Sequence, residues 1–182
     1  MYRKLIISTA IFVLLLSPAC SRERLWKSTP ALQTFNSPSY VARFEPLKKE
    51  ADFFNWFRLT VMNKTGKDME IDWNRTKYIH KGKDQGLFVF SGIAPYTVKN
   101  LTIPADVIPA NGTFSRDIVP FKLIAFTPLR EQSIDTKRHN IIAGLIPEGE
   151  NGILLVIRQG GKIARAKIVV AIESRELKGQ GD

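Results

Sequence analysis

The chain has 182 residues, with 27 Lys and Arg against 17 Asp and Glu, two His and one Cys. That length suits one domain with a short appendage, and an apolar fraction of 44 % that includes 11 Phe excludes wholesale disorder. One Cys excludes an internal disulfide or a multi-Cys zinc site, and two His exclude a His-rich metal centre. A formal charge of +10 suggests an anionic partner without choosing among nucleic acid, phospholipid and polysaccharide.

The N-terminus differs from the rest. Arg3 and Lys4 precede an uncharged run from Leu5 to Leu16, and Ser17-Pro18-Ala19 leads to Cys20. Cationic start, apolar centre and small-residue end are the pattern of a secretory signal, and the run is shorter than the roughly 20 residues of a membrane span. Leu16-Ser17-Pro18-Ala19-Cys20 resembles the lipobox of a bacterial lipoprotein precursor, whose Cys becomes the acylated first residue. The resemblance implies a signal peptide over 1–19, lipidation at Cys20 and a cell-envelope location. Ser21 after the Cys implies the outer membrane, for a two-membrane bacterium. Ser17 stands where the family has Leu, so ordinary cleavage after Ala19 and an uncleaved anchor stay open as alternatives. Export argues against a nucleic-acid partner.

Residues 20–38 are weakly patterned, carry Pro30 and Pro38, and are expected to tether a domain over 39–182 to the membrane. Leu25 and Trp26 could instead pack back on the domain or dip into the lipid interface. Beyond the tether, Phe57, Leu59 and Val61 alternate with Trp56, Arg58, Thr60 and Met62, which predicts a half-buried strand. After the turn signal Asn63-Lys64-Thr65-Gly66-Lys67, a second strand carries Met69, Ile71 and Trp73. Lys77 to Lys81 and Leu87 to Phe90 follow, and links this short predict a meander of hairpins. Pro95, Pro104, Pro109 and Pro120 confine the middle to edge strands and loops, with Phe121 to Phe126 a further strand. Arg130 to Asn140 is polar and aperiodic, the best candidate for a protruding loop.

The clearest element comes last. Ile153 to Arg158 is rich in Ile, Leu and Val, Gly160-Gly161 supplies a hairpin turn, and Ala164, Ala166, Ile168, Val170 and Ile172 line one face of the return strand. Ser174 to Asp182 is a charged tail expected to fray. Seven or eight short strands without a helical period predict an all-β, antiparallel two-sheet sandwich, a closed barrel being the alternative. Phe57, the run Ile71-Asp72-Trp73-Asn74 and the pairs Ile103-Pro104 and Ile108-Pro109 resemble small immunoglobulin-like domains of bacterial lipoproteins over about a third of the chain. That resemblance implies the sandwich and brings no catalytic residue.

Asp68, Glu70 and Asp72 share a strand face, but alternate residues lie about 7 Å apart, so pairing with cations such as Arg75 and Lys77 is a better reading than a calcium site. His80 and His139 lack any neighbour signalling nucleophilic catalysis. Trp56 and Trp73 read as core residues, with an aromatic ligand platform as the alternative, most of all at Trp56. Asn63, Asn74, Asn100 and Asn111 head N-x-Thr triplets and read as turn residues. Lys162, Arg165 and Lys167 on the last hairpin are the candidate contacts to an anionic surface; edge protection by cations is the alternative. The expectation is a non-enzymatic, lipid-anchored binding or accessory module for an envelope protein or anionic envelope polymer, with no cofactor or metal. The alternative is a ligand-binding or enzymatic domain using the loop over 130–140.

Overall fold

Two-residue alternation governs the chain. In β4 (Trp56–Asn63), Phe57, Leu59 and Val61 are fully buried while Arg58 and Met62 are exposed. β3 (Tyr40–Leu47) does the same with Tyr40, Ala42 and Phe44 turned inward. The computed structural model describes residues 24–91, 93, 103–125 and 142–177. Cys20, the signal segment, the polar stretch from Arg130 to Asn140, and His139 and Asn100 lie outside them.

β3 and β4 sit within an antiparallel sheet of five strands ordered β2-β3-β4-β10-β8, completed by β2 (Gln33–Asn36), β10 (Thr113–Pro120) and β8 (Phe88–Val89). A seven-stranded sheet packs against it. Its main path holds β1 (Arg24–Thr29), β14 (Lys162–Glu176), β13 (Gly149–Gln159), β5 (Met69–Ile71) and β9 (Asp106–Ile108), in that order. β6 (Lys77–His80) also pairs with β13 and carries β7 (Lys83–Asp84) beyond it. A small ladder of β11 (Ile124–Ala125) and β12 (Ile142–Ala143) stands apart. The protein is an all-β, antiparallel two-sheet sandwich.

Between the sheets, Phe44 and Phe57 stack at 4.5 Å, and Phe88 meets Phe57 edge-on at 6.3 Å. The facing sheet contributes Tyr78, Leu155, Ile157 and Ile168 to the same core, joined by Trp73 from the turn after β5, which the sequence placed on the strand itself.

Several expectations need correction. The stretch read as a tether forms β1 and β2 from Arg24 onward: Trp26 is buried in the core, and Leu25 pairs with Arg175. The expected frayed tail therefore starts later than Ser174, because β1 clamps β14 as far as Glu176. The expected meander fails at its first link, since β4 and β5 belong to different sheets. Short links serve a corner between layers as well as a hairpin. Buried Asn63 pins this corner, its Nδ2 donating to the carbonyls of Lys67 (2.8 Å) and Pro109 (2.9 Å) while its Oδ1 accepts the Thr65 N–H (2.9 Å). The Pro-rich middle hides an interior strand, β10, with β4 on one side and β8 on the other. Phe121–Leu123 is a 3₁₀ turn rather than the start of a strand.

Candidate binding face on the terminal hairpin

β13 and β14 meet at Gly160-Gly161, whose φ values of 53° and 77° form a two-residue turn open to glycine. The register Leu155↔Ala166 and Ile153↔Ile168 puts these side chains in the core, so odd-numbered residues of β14 look outward. Three cross-strand rows follow on the outer face. Lys77, Leu154 and Lys167 form one, Val156 and Arg165 the next, and Glu70, Arg158 and Ile163 the third. Between β5 and β6 the chain turns over β13: the Asp72 N–H donates to the Val156 carbonyl (2.9 Å), and Thr76 Oγ1 accepts the Val156 N–H (3.1 Å). This turn runs through Asn74-Arg75-Thr76 and holds Arg75 beside the third row.

Glu70, Asp72 and Glu150 on this face are engaged by cations. Glu70 pairs with Arg158 at 3.1 Å; Asp72 receives Arg158 at 3.6 Å and Arg75 at 3.8 Å; Glu150 receives Lys167 at 3.3 Å. Asp68 accepts the Ala110 N–H at 2.9 Å. Glu70 and Asp72 thus share Arg158 while Asp68 turns to the Ala110 backbone, so the three carboxylates do not form a common oxygen cage. Arg75 takes part as expected, whereas the second cation is Arg158 from β13 and not Lys77. Arg158, Glu70 and Arg75 line an open cleft of about 430 Å³ beside the hairpin turn. A smaller apolar groove of about 260 Å³ opens between the layers at the same end, against Tyr40, Ile157 and Ala164.

The three predicted contact residues separate. Arg165 and Lys167 share the outer face, but Lys162 has the opposite parity and lines the interlayer groove. Lys167 already has Glu150, whereas Arg165 has no ion pair among the described residues. Lys77, which the sequence reading left out of the contact set, joins the face through β6 and is likewise unpaired among the described residues. Strand pairing brings it there, and no local pattern reports that.

The other candidates are structural. Trp73 is fully buried and its Nε1 donates to Asp106 Oδ2 at 2.7 Å. Trp56 is no open platform: it is buried with Val89 and Val119 beneath Phe121 and Ile124, and Lys49 Nζ lies 4.9 Å over its ring. His80 Nδ1 lies 3.2 Å from Asn151 Oδ1, and Asn74 is spent on both backbone groups of Ile103. Asn111 takes a positive φ of 57° in a turn.

On the opposite outer face, Arg58 Nε (2.8 Å) and Lys49 Nζ (2.5 Å) grip Asp117. Partial burial raises the pKa of Asp117, but hydrogen bonds from Arg58 and Lys49 outweigh it and hold the carboxyl below its ordinary value. A depressed folded-state pKa contributes stability above the unfolded pKa that is lost as pH falls through the folded one. Asp117→Asn is expected to cost about 0.5–1 kcal/mol at pH 7, because both cations are half exposed. Urea titrations at pH 7 and at about pH 2 should show the gap between wild type and variant closing at the acid end.

No family model, curated protein or solved structure matches the chain. Fold and face together define a class, an antiparallel β-sandwich with a cation-rich outer sheet.

Proposed function

We propose that the protein is a lipid-anchored component of a bacterial cell envelope whose sandwich acts as a non-enzymatic binding module for another envelope component. The observation that carries the binding role is the surplus of cations on the outer face around β13, where Lys77 and Arg165 remain after Glu70, Asp72 and Glu150 have been taken up. Unpaired cations attract an anionic surface, and the neighbouring carboxylates of Glu70, Asp72 and Glu150 are already engaged. The anchoring role rests on the apolar run from Leu5 to Leu16 and on Cys20 being the sole Cys, a thiol that acylation would consume.

Two measurements test the reading. Cys20→Ser is expected to release the chain from the membrane fraction and to block lipid-dependent processing; unchanged processing with retention at the membrane overturns the anchor. Photo-crosslinking in the native host from position 77 or 165 is expected to trap an envelope component, at a yield that falls as ionic strength rises. A yield indifferent to salt overturns the electrostatic face, and failure from every face overturns the module.

A further inference from the structure

β14 is longer than the partner on its outer side. β1 pairs with it over Ala171–Glu176, and then the chain leaves at Pro30 and β2 joins β3 in the other sheet. From Val170 back to Lys162, β14 has β13 on one side and no hydrogen-bonded strand on the other among the described residues, β2 passing near it in the facing sheet without pairing with it.

The turn geometry states which backbone groups that leaves open. In a two-residue hairpin the residues flanking the turn, here Gln159 and Lys162, form a hydrogen-bonded pair, and such pairs recur at every second residue. Even-numbered residues of β14 therefore bond to β13. Ile163, Arg165, Lys167 and Val169 aim their N–H and C=O groups at the open edge. β1 takes up the continuation of this set further along. An edge of this kind is a template for another extended chain.

The side chains say which chain fits. Residues entering beside Arg165 and Lys167 on the outer face meet two cations, one of them without a carboxylate. Those on the alternate side meet Ala164, a small exposed residue that lines the apolar interlayer groove. A second copy is disfavoured: self-pairing centred on Ala166 sets Arg165 against Lys167 of the other copy twice, and like charges directly opposite destabilise a ladder. We infer that the Lys162–Val170 edge of β14 receives an extended segment of a partner protein, with acidic residues at alternate positions opposite Arg165 and Lys167 and apolar residues between. This names the partner class for the binding module proposed above and rests on that reading.

The test uses the full chain in detergent and a blocked nonapeptide of alternating Glu and Val, with a Lys and Val counterpart as control. The acidic peptide should slow amide exchange at Ile163, Arg165, Lys167 and Val169 by about tenfold or more, and less so at high salt. Val169→Pro removes an open-edge donor without touching the β13 ladder and should weaken this protection. Combined Arg165→Glu and Lys167→Glu should transfer protection to the Lys peptide. Absent protection, equal protection by both peptides, or protection that grows with protein concentration alone, as a second copy would produce, overturns the proposal. Failure of the peptide alongside crosslinks from position 77 overturns the edge alone. Failure of the peptide together with failure of crosslinking from every face overturns the edge and the module together.

Discussion

Trp73→Ala is expected to destabilise the sandwich by about 3–5 kcal/mol, the range for emptying a buried aromatic site. The ring is fully buried, lies 5.1 Å from Phe90 and 6.4 Å from Phe114, and ties to β9 through Asp106. Asp106 is held in turn by Arg116 at 2.8 Å, whose guanidinium lies 4.1 Å over Phe90. The indole thus joins the two sheets by packing and by a hydrogen bond that continues into an ion pair. A loss of this size takes a large share of the about 5–15 kcal/mol that holds a typical domain. Trp73→Phe separates the contributions: it keeps most of the packing, deletes the N–H donor and should cost about 1–2 kcal/mol. Urea unfolding of both variants measures the difference. Equal losses would mean that the hydrogen bond, rather than the ring volume, dominates.

The second large effect belongs to Asn151. It is fully buried on β13, and its Nδ2 donates to the carbonyls of Pro147 (2.7 Å) and Gly149 (3.0 Å). Its Oδ1 accepts from the Tyr78 hydroxyl and lies 3.2 Å from His80 Nδ1. Because Oδ1 only accepts, His80 must carry its proton on Nδ1 to complete this bond. Burial pushes the Tyr78 hydroxyl pKa above its ordinary value, so the phenol keeps its proton and acts as the donor. Asn151→Ala leaves the hydroxyl and two carbonyls without this partner and is expected to cost about 2–4 kcal/mol. In a Tyr78→Phe background the stranded hydroxyl is gone, so the same substitution should cost about 1 kcal/mol less. Identical costs in the two backgrounds would show that Tyr78 and Asn151 act independently.

Legibility followed the range of the interactions. β4 and the β13–β14 hairpin were readable because their signals are local: a two-residue alternation decides which face is buried, and Gly160-Gly161 supplies its own turn. β3 carries the same alternation through Tyr40, Ala42 and Phe44, yet sat beside a segment read as a tether. β10 was hidden by polar Ser115, Arg116 and Asp117, which look irregular until Arg58 and Thr60 appear opposite them on β4. The candidate face was half legible. Arg165 and Lys167 share a parity on one strand, whereas the contributions of Lys77 and Arg158 depend on strands that are neighbours only in space.

By itself, the sequence determined that the domain is built of strands, which face of the strongest strands is buried, and where the last hairpin turns. These are properties of a few consecutive residues, governed by side-chain period and by backbone freedom at glycine. It also carries the lone Cys and the charge of +10 with which the chain began. Tertiary structure alone decided that β1 closes on β14 and that the chain then changes sheets at Pro30. It also decided that Asp72 and Glu70 neutralise Arg158 while Arg165 stands unpaired among the described residues. Strand pairing over more than a hundred residues of chain depends on what each edge meets after the core has formed, and no local pattern encodes it.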